Sequence, residues 1–510
     1  MRTIVKKAIL LVKFFAFWFL SAHSQSLSQR VETIRQEHDV MGGAIVVFCQ
    51  DQILENISFG KADFARNIDV STRTKFRFAS VSKTISTIAV MKLAEQGTLN
   101  LDADINTILG YSVRNPNHPQ TPITTRMLLS HTSTLIDGTT YNSFLSATNN
   151  NNPIPNISQL ISAGGSHYST SLFVNRVPGT YFSYSNLNFG IVGTIIEKLS
   201  NQRFDLFCKS HIFDPLGIEA SYNVNHLPNI NDIAVLYRKT GGTWVAQADN
   251  FQGVQPTFGN IAGYIPGTNG LRFAPQGGLR ISAIDMAKLM VAILNGGIVD
   301  QVQVLQTPSV TAMTTASWQF DGSNGNNYYG LFRRWGLGTH ITTNTPANDI
   351  VLPRSSQMFG HPGEAYGLIS NAYFDPVRKI GFVFVINGVG VGFSTGPSSA
   401  FYTIEKQVFD SIEELVDLDG CLTLGTTRGE TGQTHKVYPN PFCDNIFVST
   451  QGESFKTKID FMNLTGNILQ TKTKTSPLER IDTSGFKPGI YLVRVGCEVF
   501  KLVKNCGKAN

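Results

Sequence analysis

The chain has 510 residues, 42% of them hydrophobic and 15% charged, with 46 Gly, 21 Pro and a formal charge of +6. Those proportions exclude a disordered or fibrous protein, and the length allows two or three domains of ordinary size around buried cores. No collagen period, heptad run or solenoid repeat is present in the sequence.

Arg2, Lys6 and Lys7 precede an apolar stretch that reaches Leu20 and is broken only by Lys13, and Ala22-His23-Ser24 sets small residues where a signal peptidase reads. Residues 1–24 are therefore expected to be a secretory signal, since the apolar segment 14–20 is short for a bilayer span of ~20 residues. Removing its four cations lowers the net charge to +2, which gives no case for nucleic acid. The longest apolar run elsewhere, 380–386, stops at Asn387 and is strand-sized, so no membrane span is expected after signal removal. Cys49, Cys208, Cys421, Cys443, Cys497 and Cys506 lack zinc-site spacing, and neither a metal nor an organic cofactor is expected. Cys49 and Cys208 have apolar neighbours and read as core-packing residues.

Residues 43–49 and 53–59 read as an opening hairpin around Gln50-Asp51-Gln52. The apolar positions of 82–95 fit a helix stopped by Gly97, which places Ser80 where a loop gives way to a helix N-terminus. Segment 142–171, with its Asn149-Asn150-Asn151-Asn152-Pro153 run, has no clear period and reads as a loop-rich insertion. Helices are expected at 189–199, 283–294 and 401–415, and strands at 368–374 and 379–386 on either side of Asp375-Pro376. Strands at both ends with helices between imply an α/β (α+β) body: one antiparallel sheet closed by the two ends, flanked by helices, with an inserted helical lobe. The body should run from 25 to 416. Residues 417–434, rich in Thr and Gly, read as a linker. Short alternating strands at 446–449, 459–462, 490–495 and 499–503 then make 435–510 a small all-β sandwich module. That module carries 11 basic and six acidic residues.

A serine hydroxyl needs a base to take its proton, and a lysine three residues later on a helix lies one turn away on the same face. Ser80-Val81-Ser82-Lys83 meets that condition. Ser58 with Lys61 and Ser484 with Lys487 share the spacing, but Gly60, Gly485 and Pro488 leave neither at the start of a helix. At a helix N-terminus the Ser80 N–H can face a developing oxyanion.

The segment Phe76-Arg77-Phe78-Ala79-Ser80-Val81-Ser82-Lys83-Thr84 resembles the active-site segment of the class C β-lactamase and penicillin-binding-protein-like serine hydrolases. The resemblance continues in the family's order through Leu128-Leu129-Ser130-His131-Thr132-Ser133, Pro178-Gly179-Thr180-Tyr181-Phe182-Ser183-Tyr184-Ser185-Asn186 and Pro275-Gln276-Gly277-Gly278-Leu279. It implies a serine β-lactamase-like fold and an acyl-enzyme on Ser80. By the same resemblance Lys83 and Tyr184 share the proton transfers, and Asn186 binds the acyl side of the substrate. A phenol with a pKa near ~10 serves as a base only if a cation such as Lys83 stabilises its phenolate. His131 lies in a segment that the resemblance marks as structural.

The family's third motif is Lys-Thr-Gly or His-x-Gly. The chain offers Lys239-Thr240-Gly241 at an expected hairpin tip and His361-Pro362-Gly363 before the C-terminal strands. We assign the motif to His361, Gly363 and the N–H of Glu364, which by resemblance joins that of Ser80 in the oxyanion hole; His361 is then expected to face the substrate. A neutral histidine serves a substrate carboxylate poorly. That leaves an ester or amide substrate of the esterase or D-amino-acid peptidase type, with a β-lactamase or D-Ala-D-Ala carboxypeptidase as the alternative. An idle scaffold that binds a peptide or glycan is the rival from another class.

Val437-Tyr438-Pro439-Asn440-Pro441-Phe442, Asn463-Leu464-Thr465-Gly466, Ile481-Asp482-Thr483-Ser484 and Pro488-Gly489-Ile490-Tyr491 resemble the C-terminal sorting domain of type IX secretion. The resemblance implies export across both membranes to the medium or the cell surface, with that secretion machinery as a partner.

Overall fold

Alternation along the strands decides how the body is layered. The computed structural model describes residues 25–257, 261, 263–418, 435–438, 444–450, 457–463, 468–474, 476, 478–495 and 498–504, so the expected signal and residues 419–434 of the expected linker lie outside the described residues. Two compact units divide between Leu422 and Thr423. The first unit contains α1 (Leu27–Glu37), β1 (Gly42–Cys49), β2 (Gln52–Asp63), α2 (Ser82–Glu95), α3 (Thr139–Asn150), α4 (Asn186–Ser200), β3 (Leu236–Thr240) and β4 (Thr243–Ala248). They are followed by α5 (Ala283–Leu294), β5 (Phe359–Ala365), β6 (Leu368–Asp375), β7 (Ile380–Ile386) and α6 (Thr403–Leu415).

Nine strands form one sheet in the order Trp318–Gln319, Arg334–Trp335, His340–Ile341, β5, β6, β7, β1, β2 and Ile68–Asp69. Every neighbouring pair is antiparallel. The expected closure of the sheet by both ends of the body is present: β1 pairs with β7 from Gly43 opposite Ile386 to Cys49 opposite Ile380. Successive side chains of a strand point to opposite faces. Ala44, Val46 and Phe48 of β1 accordingly enter the core shared with α2, α4 and α5. Ile45, Val47 and Cys49 enter a second core with α1 and α6. The sheet is thus covered on both faces.

Helix α2 spans the expected residues, and 11 of its 14 are buried, Lys83 among them. Helix α1 was not expected; it starts at a capping box in which Ser26 and Gln29 satisfy each other's backbone N–H. The Asn-rich insertion is also more regular than expected. Helix α3 forms there because Tyr141, Phe144 and Thr148, spaced three and four apart, bury one face. Cys49 corrects a further expectation, being buried but disulfide-bonded, since burial alone does not distinguish a free thiol from half of a disulfide. Cys208 is buried and free.

The second unit contains β8 (His435–Tyr438), β9 (Asn445–Thr450), β10 (Thr457–Met462), β11 (Ile468–Lys474), β12 (Leu478–Asp482), β13 (Gly489–Val495) and β14 (Glu498–Lys504). They form two sheets, β8-β9-β12 and β11-β10-β13-β14. One core holds Ile446 and Val448 from the first together with Ile459, Phe461 and Val493 from the second. Among the described residues no helix is long and apolar enough to cross a membrane.

Candidate active site

Ser80 sits in a single 3₁₀ turn, Ala79–Val81, that runs straight into α2. The turn begins with Ala79 at φ +42°, a left-handed conformation that costs an alanine energy and is held by the packing around it. Strand β5 runs beside the turn. Ser370 Oγ, on β6 opposite Gly363, donates to Phe78 O at 2.9 Å. A Cβ on Gly363 would lie 2.8 Å from Phe78 O and 3.2 Å from Ser80 N, so glycine lets the strand approach the nucleophile.

Lys83 is fully buried. Its Nζ donates to Ser80 Oγ at 3.0 Å, Asn186 Oδ1 at 2.9 Å and Gln276 O at 2.8 Å. It also lies 4.8 Å from the centre of the Tyr184 ring. Burial lowers its pKa to about 7, with the Asp137 carboxylate pulling the other way. Burial pushes the Tyr184 phenol far up, and its hydrogen bond with Ser80 opposes that shift only in part. The lysine is thus the group that can shed its proton near neutral pH, while the phenol keeps its own.

Asp137 went unnoticed in the sequence. Its carboxylate accepts from the N–H of Asn186 at 3.1 Å and of Leu187 at 2.9 Å, the first turn of α4. It also accepts from Ser185 Oγ at 3.0 Å and Asn186 Nδ2 at 2.8 Å. Fixing the amide nitrogen turns Asn186 Oδ1 toward Lys83. No motif marks Asp137, because it follows the His131 segment and meets α4 only through the fold.

Ser80, Asn186 and Glu364 line a cleft of about 630 Å³ together with Gln276, Gly277, Tyr141 and Tyr366. His361 lies beside Tyr184 and Trp335. It is 1% exposed, with its ring 6.0 Å from that of Tyr184 and 5.2 Å from that of Trp335. Glu364, Ala365 and Tyr366 line the cleft at the end of β5, and the imidazole is buried beside Tyr184. Its Nδ1 is 2.5 Å from Pro362 O, and burial, aided by Lys83, holds its pKa well below the ordinary value. Lys239 lies outside the site, paired with Asp39 and 5.4 Å from the Trp244 ring centre. The His131 ring lies 4.4 Å from that of Tyr184 at a 32° tilt, and its Nδ1 accepts from Ser185 N at 3.1 Å. It thereby supports the position of Tyr184. Among the described residues no group of three or more His, Cys, Asp or Glu is arranged to hold a metal ion.

The family model "Beta-lactamase" matches residues 27–397, and the chain belongs to that family of serine hydrolases. Residues 436–506 match the "Secretion system C-terminal sorting domain", which indicates export to the medium or the cell surface. "Protein flp" of Staphylococcus aureus strain MRSA252 is 28% identical over 229 residues, 44% of this chain and 44% of that protein. The chain thus spans under half the length of that curated relative. The octameric penicillin-binding protein homologue from Pyrococcus abyssi superposes with a TM-score of 0.56 at 18% identity, covering 94% of this chain and 99% of that one. The D-amino acid amidase from Ochrobactrum anthropi SV3, complexed with L-phenylalanine, gives 0.53 at 18% identity over 78% and 99%. These structures share the fold.

Proposed function

We propose that the protein is an exported serine hydrolase that cleaves an ester or amide of the esterase or D-amino-acid peptidase type through an acyl-enzyme on Ser80. The observation that carries this reading is a fully buried lysine 3.0 Å from a serine Oγ, with its pKa lowered to about 7 by that burial. Neutral Lys83 takes the Ser80 proton as Oγ attacks the substrate carbonyl. The backbone N–H groups of Ser80 and Glu364 receive the developing oxyanion, and Asn186 holds the acyl group. Tyr184, kept protonated by burial, gives its proton to the leaving oxygen or nitrogen as the carbonyl carbon's bond to it breaks, and recovers a proton from Lys83. Water then attacks the ester, and the same groups return its proton to Ser80. Gly363 lets β5 pass close to the nucleophile, and His361 packs beside Tyr184 and helps to hold the phenol in place.

Active-site labelling by a fluorophosphonate tests the acyl-enzyme: the wild-type protein is labelled and Ser80→Ala is not. Labelling of Ser80→Ala at the wild-type rate, or none of the wild type, overturns the reading and restores the idle scaffold. A panel of short-chain esters, D-amino-acid amides, D-Ala-D-Ala peptides and a chromogenic cephalosporin then separates the esterase and peptidase forms from the β-lactamase and carboxypeptidase alternatives. The tail serves the type IX secretion machinery, and truncation before Val437 should leave active enzyme stranded in the periplasm.

A further inference from the structure

Two short strands beside the nucleophile set like charges face to face. Phe76–Arg77 pairs antiparallel with Arg280–Ile281, and the register places Arg77 directly opposite Arg280. Like charges opposite one another in a ladder repel, and these two side chains are only 16% and 10% exposed. A single carboxylate bridges them. Asp249, 2% exposed, accepts from Arg77 Nε at 3.1 Å and Nη2 at 2.8 Å, and from Arg280 Nε at 3.2 Å and Nη2 at 2.7 Å. Burial tends to raise the Asp249 pKa, but the two guanidiniums override it and hold the carboxyl well below the usual range. Two cations therefore share one anion, and a full positive charge remains in a poorly hydrated wall, where an uncompensated charge is costly.

That wall belongs to the cleft that holds Ser80. Arg77 and Arg280 line it, Arg238 and Arg272 add two more guanidiniums, and Glu364 is the one carboxylate-bearing residue in the lining among the described residues. Glu364 is itself engaged by Tyr402 Oη at 2.6 Å. Arg77 also lies 5.4 Å from the ring centre of Tyr366, another lining residue. Assigning the third motif to a histidine left no cation for a substrate carboxylate; this cluster supplies one from a different part of the fold.

We infer that Arg77, Asp249 and Arg280 form an anion subsite, where the substrate places a carboxylate while its scissile carbonyl lies against Ser80. The inference rests on the Ser80 acyl-enzyme reading and names the substrate class for it. Asp249 holds the two guanidiniums in register, and a substrate carboxylate makes the pairing two against two. The carboxylate can belong to the acyl group or to the leaving group, and the chemistry at the subsite is the same.

Two matched substrate pairs separate these sources: 4-nitrophenyl hydrogen glutarate against 4-nitrophenyl pentanoate, and N-acetyl-D-alanyl-D-lactate against its carboxamide. In the mature wild-type protein kcat/KM should favour the acidic member of at least one pair by about tenfold to a hundredfold, the range of one charged hydrogen-bonded contact. Arg77→Met removes the surplus charge and should collapse that ratio toward one. Arg77→Lys should retain part of it, and Asp249→Asn, which adds surplus charge, should enlarge it. A purely structural role for the cluster lowers both members of a pair alike and leaves the ratio unmoved, and thermal unfolding of each variant checks that it is folded. A wild type that is labelled at Ser80 yet shows no acidic preference in either pair overturns the subsite alone. Arg77→Met and Asp249→Asn shifting the ratio in the same direction does so too. A wild type that is not labelled overturns the acyl-enzyme reading and the subsite with it.

Discussion

Ser58 and Lys61 stand at the same spacing as Ser80 and Lys83, and the backbone beneath each pair makes opposite use of it. On β2 alternate residues face opposite sides of the sheet, so positions three apart diverge. Lys61, with 32% of its side chain exposed, reaches across to Asp69 at 2.5 Å. Ser58 Oγ is buried without a hydrogen-bond partner among the described residues. Where the 3₁₀ turn enters α2, three residues bring the side chains onto one face, and Lys83 meets Ser80 at 3.0 Å. Burial then separates the lysines further. A cation closed into the helical core loses its hydration and with it the preference for the protonated form. The tetrapeptide pattern supplies the functional groups; periodicity and burial give them reactivity.

The largest effect that sharpens this contrast is at the serines. Ser80→Ala should lower turnover by at least ~10³, as nucleophile losses do in comparable enzymes, whereas Ser58→Ala should leave it unchanged in a steady-state ester assay. Next come the lysines. Lys83→Met should cost on the order of 10²-fold or more, since it removes the proton acceptor, while Lys61→Met should cost nothing measurable. The same reasoning sets the sign of the pH dependence: Lys83 acts as a base only when neutral, so kcat/KM should rise as the pH passes through about 7. A flat profile between pH 5 and 9 would exclude the lysine as base.

Asp137→Ala should have a smaller effect, about tenfold on kcat/KM, with ~1 kcal/mol of stability lost as the cap of α4 goes. Its distinguishing mark lies in the pH profile. The carboxylate favours protonated Lys83, so removing it should move the acidic limb to lower pH, which loss of a helix cap alone would not do. The smallest expected effect is at the rival third motif: Lys239→Ala breaks the pair with Asp39 and should change kcat/KM less than twofold, as a partly exposed ion pair outside the site contributes little.

The contrast also explains how far the sequence could be read. Helices α2 and α5 match their expected bounds because their apolar positions recur at helical spacing and Gly97 and Gly296 stop them. Ser80, Lys83, Tyr184 and Asn186 meet in space because two segments that carry motifs begin two neighbouring helices. Helix α3 was hidden by asparagines of low helical propensity, and its three buried anchors gain weight only from the core they enter. Asp137, Asp249 and the pairing of Arg77 with Arg280 were illegible for another reason. Each partner lies tens to hundreds of residues away, and only tertiary contact gives an isolated charged residue its role. The burial of His361 beside Tyr184 and Trp335 is likewise a product of the fold.

The central position of β1 has a consequence for how the molecule comes into being. Its partner on one side, β2, follows after a tight turn, but its partner on the other, β7, runs from Ile380 to Ile386. Until those residues emerge, one edge of an apolar strand has no ladder to join and the two cores above and below it cannot close. Contacts of such long sequence separation fold slowly, and an open edge invites pairing with other chains. A chain assembled this way keeps one side of β1 unpaired until β7 is available. The two cores close only when β7 arrives.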